Sequence, residues 1–423
     1  MIEPRRLNDE VKEFIVAHAQ ADVPSLVLKH KSVAGLPISQ IADQIIGRRK
    51  ANIKLPTYFG NADVLYPPAL NLEQTSSETT AEYKASMLAS LTEHENLVDL
   101  TAGFGIDTLA FSKYYKRIIH VEPNSELQQL AQFNHELLGA DNISYVNETA
   151  EAYLGNSTRT ADLEITEVNR VDTLQNNPSA TEGPWVSAVY IDPSRRNASR
   201  KVFSFHDCLP DITTLQHDIL KRTPVLLVKA SPMHDVQLAL SEIRHVQRVI
   251  VLAVDNEVRE LLFVSVMNFD GEPTISSVNI SSSGTVAVEF SYAEEKATEA
   301  SYADVMSFLY EPNAALLKAG AFKLMSKRFG VHKLHINTHL YTSDHLVANF
   351  PGRIFRVASH LKADPRSLSV HFPEGKSNII VRNYPSTPEA LKKKLRLSDG
   401  GERYVLAFTS SAGPTLVAAT RIN

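Results

Sequence analysis

The chain is poor in cysteine, in long apolar runs and in metal-ligand patterns. Cys208 is its single cysteine, so no internal disulfide can form, and that suits a reducing compartment. No stretch approaches the ~20 apolar residues of a membrane span. The opening Met1-Ile-Glu-Pro-Arg-Arg6 lacks the apolar core of a secretion signal. A cytoplasmic protein with no membrane partner is expected. No H-x-x-x-H or C-x-x-C spacing with supporting ligands occurs, so no metal is expected. Repeats of solenoid period are missing too. What remains is ordinary for globular proteins: 43% hydrophobic and 22% charged residues. A length of 423 residues suits roughly two to four domains.

The net charge of −5 does not suggest nucleic acid, but it is unevenly spread. From Pro351 onward twelve Lys/Arg face five Asp/Glu, giving +7 there and −12 elsewhere. Such asymmetry suits a basic domain that meets phosphate, or a solvated basic face.

The most informative segment is Asp99-Leu-Thr-Ala-Gly-Phe-Gly105. Leu97, Val98 and Leu100 form the short apolar run of a buried parallel strand. Gly103 and Gly105 permit a sharp turn and close approach of a ligand. A helix is expected over Ile106 to Tyr114, then a strand over Arg117 to Val121 that ends in Glu122. An acid there can accept hydrogen bonds from two ribose hydroxyls. A dinucleotide fingerprint needs a third small residue to seat a pyrophosphate. Thr108 stands there instead, with Asp107 inside the turn and Asp99 at the strand end. Carboxylates repel a pyrophosphate and suit a ligand with a cationic end, a sulfonium and an ammonium. That points to S-adenosylmethionine rather than NAD.

This pattern resembles the class I S-adenosylmethionine-dependent methyltransferases. Strands are expected at Asn142 to Asn147, Val186 to Ile191, Val225 to Lys229, Val249 to Val254 and Leu261 to Met267. More narrowly, the chain resembles bacterial predicted RNA methyltransferases with a C-terminal THUMP-like domain. Four segments carry this: Gln74-Thr-Ser-Ser-Glu78, Asp192-Pro-Ser-Arg-Arg196, Lys229-Ala-Ser-Pro-Met233 and Tyr310-Glu-Pro-Asn-Ala314. The resemblance implies an α/β fold with a Rossmann-like seven-stranded class I methyltransferase domain. The expected division is a helical N-terminal region (1–70), that domain (71–272), a small α+β linker domain (273–350) and a basic THUMP-like domain (351–423).

The resemblance implies a cofactor cradle of Asp99, Thr101, Ala102, Gly103, Phe104, Gly105, Asp107, Glu122 and Pro123. Thr149 and Ala150 fall at the adenine, and Asp192 at the methyl donor. Ser76 and Ser77 suit either a helix cap or the cofactor's carboxylate. Asp192, Pro193, Ser194 and Arg195 occupy the family's substrate-facing position and are the catalytic candidates. Enzymes of the Asp-Pro-Pro-Tyr type hold an exocyclic amine there and stack the aromatic on the base. Here no aromatic follows directly, so stacking would fall to Phe203, Phe205 or an arginine plane. Arg195, Arg196, Arg200 and Lys201 make a basic patch suited to RNA phosphates, or to pairing with nearby acids. Lys229 suits a phosphate, or a pair with Asp192. Acids around Cys208 (Asp207, Asp211 and Asp218) oppose a nucleophilic thiolate. His206 and His234 are the histidines of these loops.

Methyl transfer to a base in structured RNA is the leading expectation. A methyltransferase for protein or small molecules, and a non-catalytic RNA-binding factor, are the alternatives.

Elsewhere, helices are expected at Val11 to Ala21, Gln40 to Arg49, Gln74 to Leu91, Tyr302 to Phe308 and Ala314 to Met325. Arg48-Arg49-Lys50 with Lys54 suits a phosphate backbone or a solvated helix end. Tyr66-Pro67-Pro68 suits a hinge. Alternation predicts strands in 278–290. In the last domain strands are expected at 353–357, 368–372, 378–382, 403–408 and 416–420. A helix from Thr387 to Leu397 carries Pro388 in its first turn.

Overall fold

The computed structural model describes residues 1–155, 186–195 (backbone only at Arg195), 204–362, 364 and 368–422. The chain forms two compact units. The first comprises Met1–Arg248 and Glu260–Gly271, the second Val249–Arg259 and Glu272–Asn423.

The first unit begins with helices α1 (Asp9–Ala17), α2 (Val23–Lys29), α3 (Ile38–Lys54) and α4 (Pro56–Gly60). Ile41 and Ile45 of α3 are buried, as the apolar stripe predicts. Tyr66 is no free hinge: Gln44 accepts from its N–H at 2.8 Å and donates to its carbonyl at 2.9 Å. Asn134 clamps Leu65 in the same two-bond manner. The basic cluster is also spent on the fold. Arg49 donates to the carbonyls of His18, Ala19 and Ala21, Lys54 donates to those of Leu72 and Glu73, and Arg48 lies over Phe59.

The helix expected over Gln74 to Leu91 is α6 (Glu78–Ala89), and a short helix α5 (Ala69–Gln74) precedes it. Ser77 is the N-cap of α6 and accepts from Thr80 N. Then come β1 (Asn96–Asp99), α7 (Ile106–Ser112), β2 (Arg117–Val121), α8 (Ser125–Leu137), β3 (Ile143–Val146) and α9 (Ala150–Gly155). After these follow β4 (Ala188–Ile191), α10 (Ile212–Leu220), β5 (Val225–Ala230), α11 (Val236–Glu242), β6 (Val246–Val254) and β7 (Glu257–Val266).

Within the first unit the strands run in the order β3-β2-β1-β4-β5-β7. The pairs from β3 to β5 are parallel, and β7 is antiparallel to β5. Strand order reverses beside β1, and there doubly wound sheets bind ligands beyond the carboxyl ends of their strands. The central strands β4 and β5 are nearly continuous apolar runs, as expected of buried parallel strands.

In the second unit, Val249–Val254 lies beside β8 (Thr274–Ser281), which pairs with β9 (Gly284–Phe290). Helix α12 (Tyr292–Ala297) follows. The expected helix over Tyr302 to Phe308 is absent: Phe308 opens strand β10 (Phe308–Pro312), whose five residues are all buried. The next expected helix breaks into α13 (Ala314–Ala319) and α14 (Lys323–Phe329) at Gly320, which has φ +85°. Strands β11 (His332–His335), β12 (Thr338–Ser343), β13 (Gly352–His360), β14 (Asn378–Arg382), β15 (Arg403–Ser410) and β16 (Gly413–Arg421) complete a seven-stranded sheet. Its order is β11-β12-β10-β13-β16-β15-β14. Helix α15 (Pro388–Leu395) is capped by Thr387 as predicted. Leu368 lies in a helical turn, not in the expected strand. It packs with Phe372, Leu391 and Leu395 on one sheet face.

Candidate functional site

The turn between β1 and α7 depends on its glycines. Gly103 has φ +56° and Gly105 φ +82°, a region that L side chains rarely adopt. A Cβ on Gly105 would also meet the His135 ring at 2.4 Å. Glu122 accepts from one amide of the turn and from one of the loop after β2. Gly103 N donates to Glu122 Oε2 at 3.0 Å, and Asn124 N donates to Glu122 Oε1 at 2.8 Å. Glu122 thus follows β2 and lies against the glycine bend, and burial raises its pKa.

Asp99 is fully buried. One oxygen accepts from Thr101 N at 3.2 Å, and the other lies 2.8 Å from the Thr108 hydroxyl. Burial pushes its pKa up to about 8. The expected anionic rim therefore loses this member at neutral pH: Asp99 shapes the turn from inside. Phe104 also points inward, 2% exposed, with its ring against Tyr58.

Asp107 does not face outward either. Its Oδ1 lies 3.1 Å from Lys84 Nζ. Its Oδ2 accepts from Ser76 Oγ at 2.7 Å and from Tyr190 Oη at 2.9 Å. Burial opposes its ionisation, but Lys84, then Lys229, Ser76 and Tyr190 hold its pKa below the ordinary value. Ser76 is a junction, accepting from Lys84 Nζ at 3.0 Å and Lys229 Nζ at 3.3 Å. Glu260 accepts from Lys84 at 2.7 and 2.9 Å.

Asp192 follows β4. Its N–H donates to Thr101 Oγ1 at 2.6 Å, which ties it to the glycine turn. Its carboxylate accepts from Lys229 Nζ at 2.6 Å, so Lys229 is its ion-pair partner. Burial would lower the Lys229 pKa, but Asp192, then Asp107 and Glu260, raise it above its ordinary value. Pro193 is buried and Ser194 exposed, with Ser194–Arg195 pairing Cys208–Leu209.

Arg196, Arg200, Lys201 and Phe203 lie outside the described residues, as does the Arg195 side chain. Phe205 is core rather than a stacking platform: it is 0% exposed and packs on His234 and Phe263. Cys208 is fully buried. Thr149 starts α9 and accepts from Ala152 N at 3.2 Å. Pro123 is exposed at the mouth beyond Glu122 and Ala150 is buried. No helix among the described residues is long and apolar enough to cross a membrane. Nor does any group of three His, Cys, Asp or Glu among them sit together to hold a metal.

The sheet differs from dinucleotide-binding sheets in β7, which runs antiparallel to β5. A crystal structure of a candidate methyltransferase from Porphyromonas gingivalis W83 superposes with TM-score 0.80 and 28% identity, covering 99% of this chain and 100% of that one. A family of THUMP domain-like units matches residues 352–421, and a ferredoxin-like domain family matches 308–351. This chain has the fold of a class I methyltransferase and ends in a THUMP-like domain.

Shorter likenesses have TM-scores of 0.28. They include an rRNA methylase from Streptococcus thermophilus (15% identity, 44% of this chain, 95% of that one). Another is a Streptococcus mutans protein solved with SAH (13% identity, 43% and 94%). No curated protein matches the sequence.

Within this methyltransferase fold, sequence reasoning missed Lys84, Tyr190 and Glu260. Two of them left a signal. Lys84 shares the buried face of α6 with Ala81, Ala85 and Leu88. Glu260 opens a run of six buried strand residues. A lone charge in an apolar stripe needs a buried partner.

Proposed function

We propose that the chain transfers a methyl group from S-adenosylmethionine to a base in structured RNA, in the cytoplasm. The observation that carries this is the convergence at one carboxyl edge of the parallel sheet. There the glycine bend, the Glu122 carboxylate and the Asp192–Lys229 pair meet, with Asp192 N bonded to Thr101 of the bend. The donor set fits the cofactor. Glu122 retains acceptor capacity for ribose hydroxyls, and the bend admits close approach at Thr101, Ala102, Gly103 and Gly105. Pro123, Thr149 and Ala150 would lie along the adenosine, and Ser76 toward the amino-acid end. Bound there, the cofactor supplies an electrophilic methyl on a sulfonium. The protein positions the acceptor in line with it, and Asp192 accepts a hydrogen bond from the acceptor's N–H. Lys229 orients that carboxylate.

The RNA assignment is supported by the THUMP-like match at 352–421 and by the +7 charge from Pro351 onward. Part of that charge is internally engaged: Arg353 and Arg382 both bind the buried Glu311. Lys393 and Lys394 are exposed on α15. We keep 1–70, 71–272, 273–350 and 351–423 as functional divisions: helical brace, transfer domain, linker and RNA-docking domain.

The test is transfer of labelled methyl to RNA from a strain lacking the protein. Asp192→Asn is expected to lower transfer roughly a hundredfold while cofactor affinity stays within about threefold. Undiminished transfer would remove Asp192 from the reaction. Failure of the wild type to bind the cofactor by calorimetry would reject the proposal.

A further inference from the structure

The row of charges behind the bend has an odd number of members. Lys84 is fully buried and Glu260 is 2% exposed. At 2.7 Å these two would neutralise each other. Asp107 joins at 3.1 Å from Lys84, Lys229 at 4.0 Å from Glu260, and Asp192 closes the row at 2.6 Å from Lys229. Ser76 bridges three of them through its hydroxyl. Three carboxylates therefore face two ammoniums. Exposure rises along the row, from none at the Lys84 side chain to 31% at that of Asp192. The unbalanced negative charge thus faces the mouth, where Asp192 is tied to the glycine bend. Charges in such surroundings act over longer distances than they do in water.

We infer that this excess negative charge makes the site select its ligand by charge, holding the cationic methyl donor and releasing the neutral demethylated product. The inference rests on the cofactor reading above. S-Adenosylmethionine carries a sulfonium, an ammonium and a carboxylate, one positive charge in all; S-adenosylhomocysteine has lost the sulfonium charge. Lys84 and Glu260 are positioning residues here. They touch no reacting atom and act through Asp107 and Lys229. Without Lys84 the row would bind the product's ammonium more strongly as well. Without Glu260 it would be neutral and indifferent to the lost charge.

Calorimetry on the full chain at low salt tests this with three ligands: S-adenosylmethionine, S-adenosylhomocysteine and sinefungin, which carries an amine in place of the methylsulfonium. Both cationic ligands are expected to bind the wild type roughly tenfold more tightly than the neutral one. Glu260→Gln keeps the side-chain shape and should bring the three affinities to within about twofold. Equal affinities in the wild type overturn the inference without any variant. So does an unchanged preference in Glu260→Gln that melts cooperatively. If the wild type binds all three without preference, only this inference falls. If it binds none, the cofactor reading falls with it.

Discussion

At the scale of single residues, Asp99 shows how burial alters what a motif side chain does. Its pKa rises from 3.8 to about 8 because its charge would have to form away from water. The folded chain therefore holds this proton more tightly than the unfolded chain. The resulting stabilisation is complete below pH 3.8 and is lost as pH rises toward about 8. Asp99→Asn has no such proton and can keep a hydrogen bond from Thr101. Relative to that variant, the wild type should lose roughly 1.4 kcal/mol of stability per pH unit across that window. Urea midpoints at several pH values measure this, and parallel profiles would refute it. The same residue explains a limit of sequence reading. An acid at a strand end is legible, but its exposure is set by Thr108 and α7 packing over it.

At the scale of elements, the start of α6 separates two adjacent serines. Ser77 caps the helix through Thr80 N, and Ser76 turns into the buried charges. Ser77→Ala should cost about 1 kcal/mol of stability with cofactor affinity unchanged. Ser76→Ala should weaken cofactor binding by more than it shifts the melting midpoint, because it frees Asp107 and both lysines from their shared hydroxyl. Melting curves paired with calorimetry decide; equal effects on both quantities for both variants would contradict the division. A helix cap was visible in the hydroxyl-rich run before Glu78. Which serine did which task was not, since α7 and β5 supply Asp107 and Lys229 from far along the chain. The helix expected at Tyr302 to Phe308 failed for a related reason. Tyr302 bridges to Lys333 of β11 and Phe308 pairs with β12 and β13, so distant partners hold both ends of the segment whatever its local preference.

At the scale of the whole molecule, the opposed charges of the chain make a measurable statement about RNA. Affinity for RNA should fall steeply with salt as counterions are released. Reversing the exposed Lys393 and Lys394 to Glu should weaken binding by an order of magnitude or so and flatten the salt slope. Filter binding from low to moderate salt checks both. A slope unaffected by the reversal would take α15 out of the RNA interface. Sequence position gave no sign that Arg49, Lys54, Arg353 and Arg382 are occupied within the fold.

By itself, the sequence determined the order of strands and helices around the bend, because apolar runs, paired glycines and the Glu122 spacing are local properties with few alternative readings. It also determined that Asp192 and Lys229 end neighbouring strands. Only the tertiary structure decided where the acids point. Asp99, Asp107 and Glu260 are brought into the interior, and there partners distant in sequence, foremost Lys84 and Lys229, set which of them bears charge. Electrostatic energy depends on distance and solvent exposure, and neither is written along the chain.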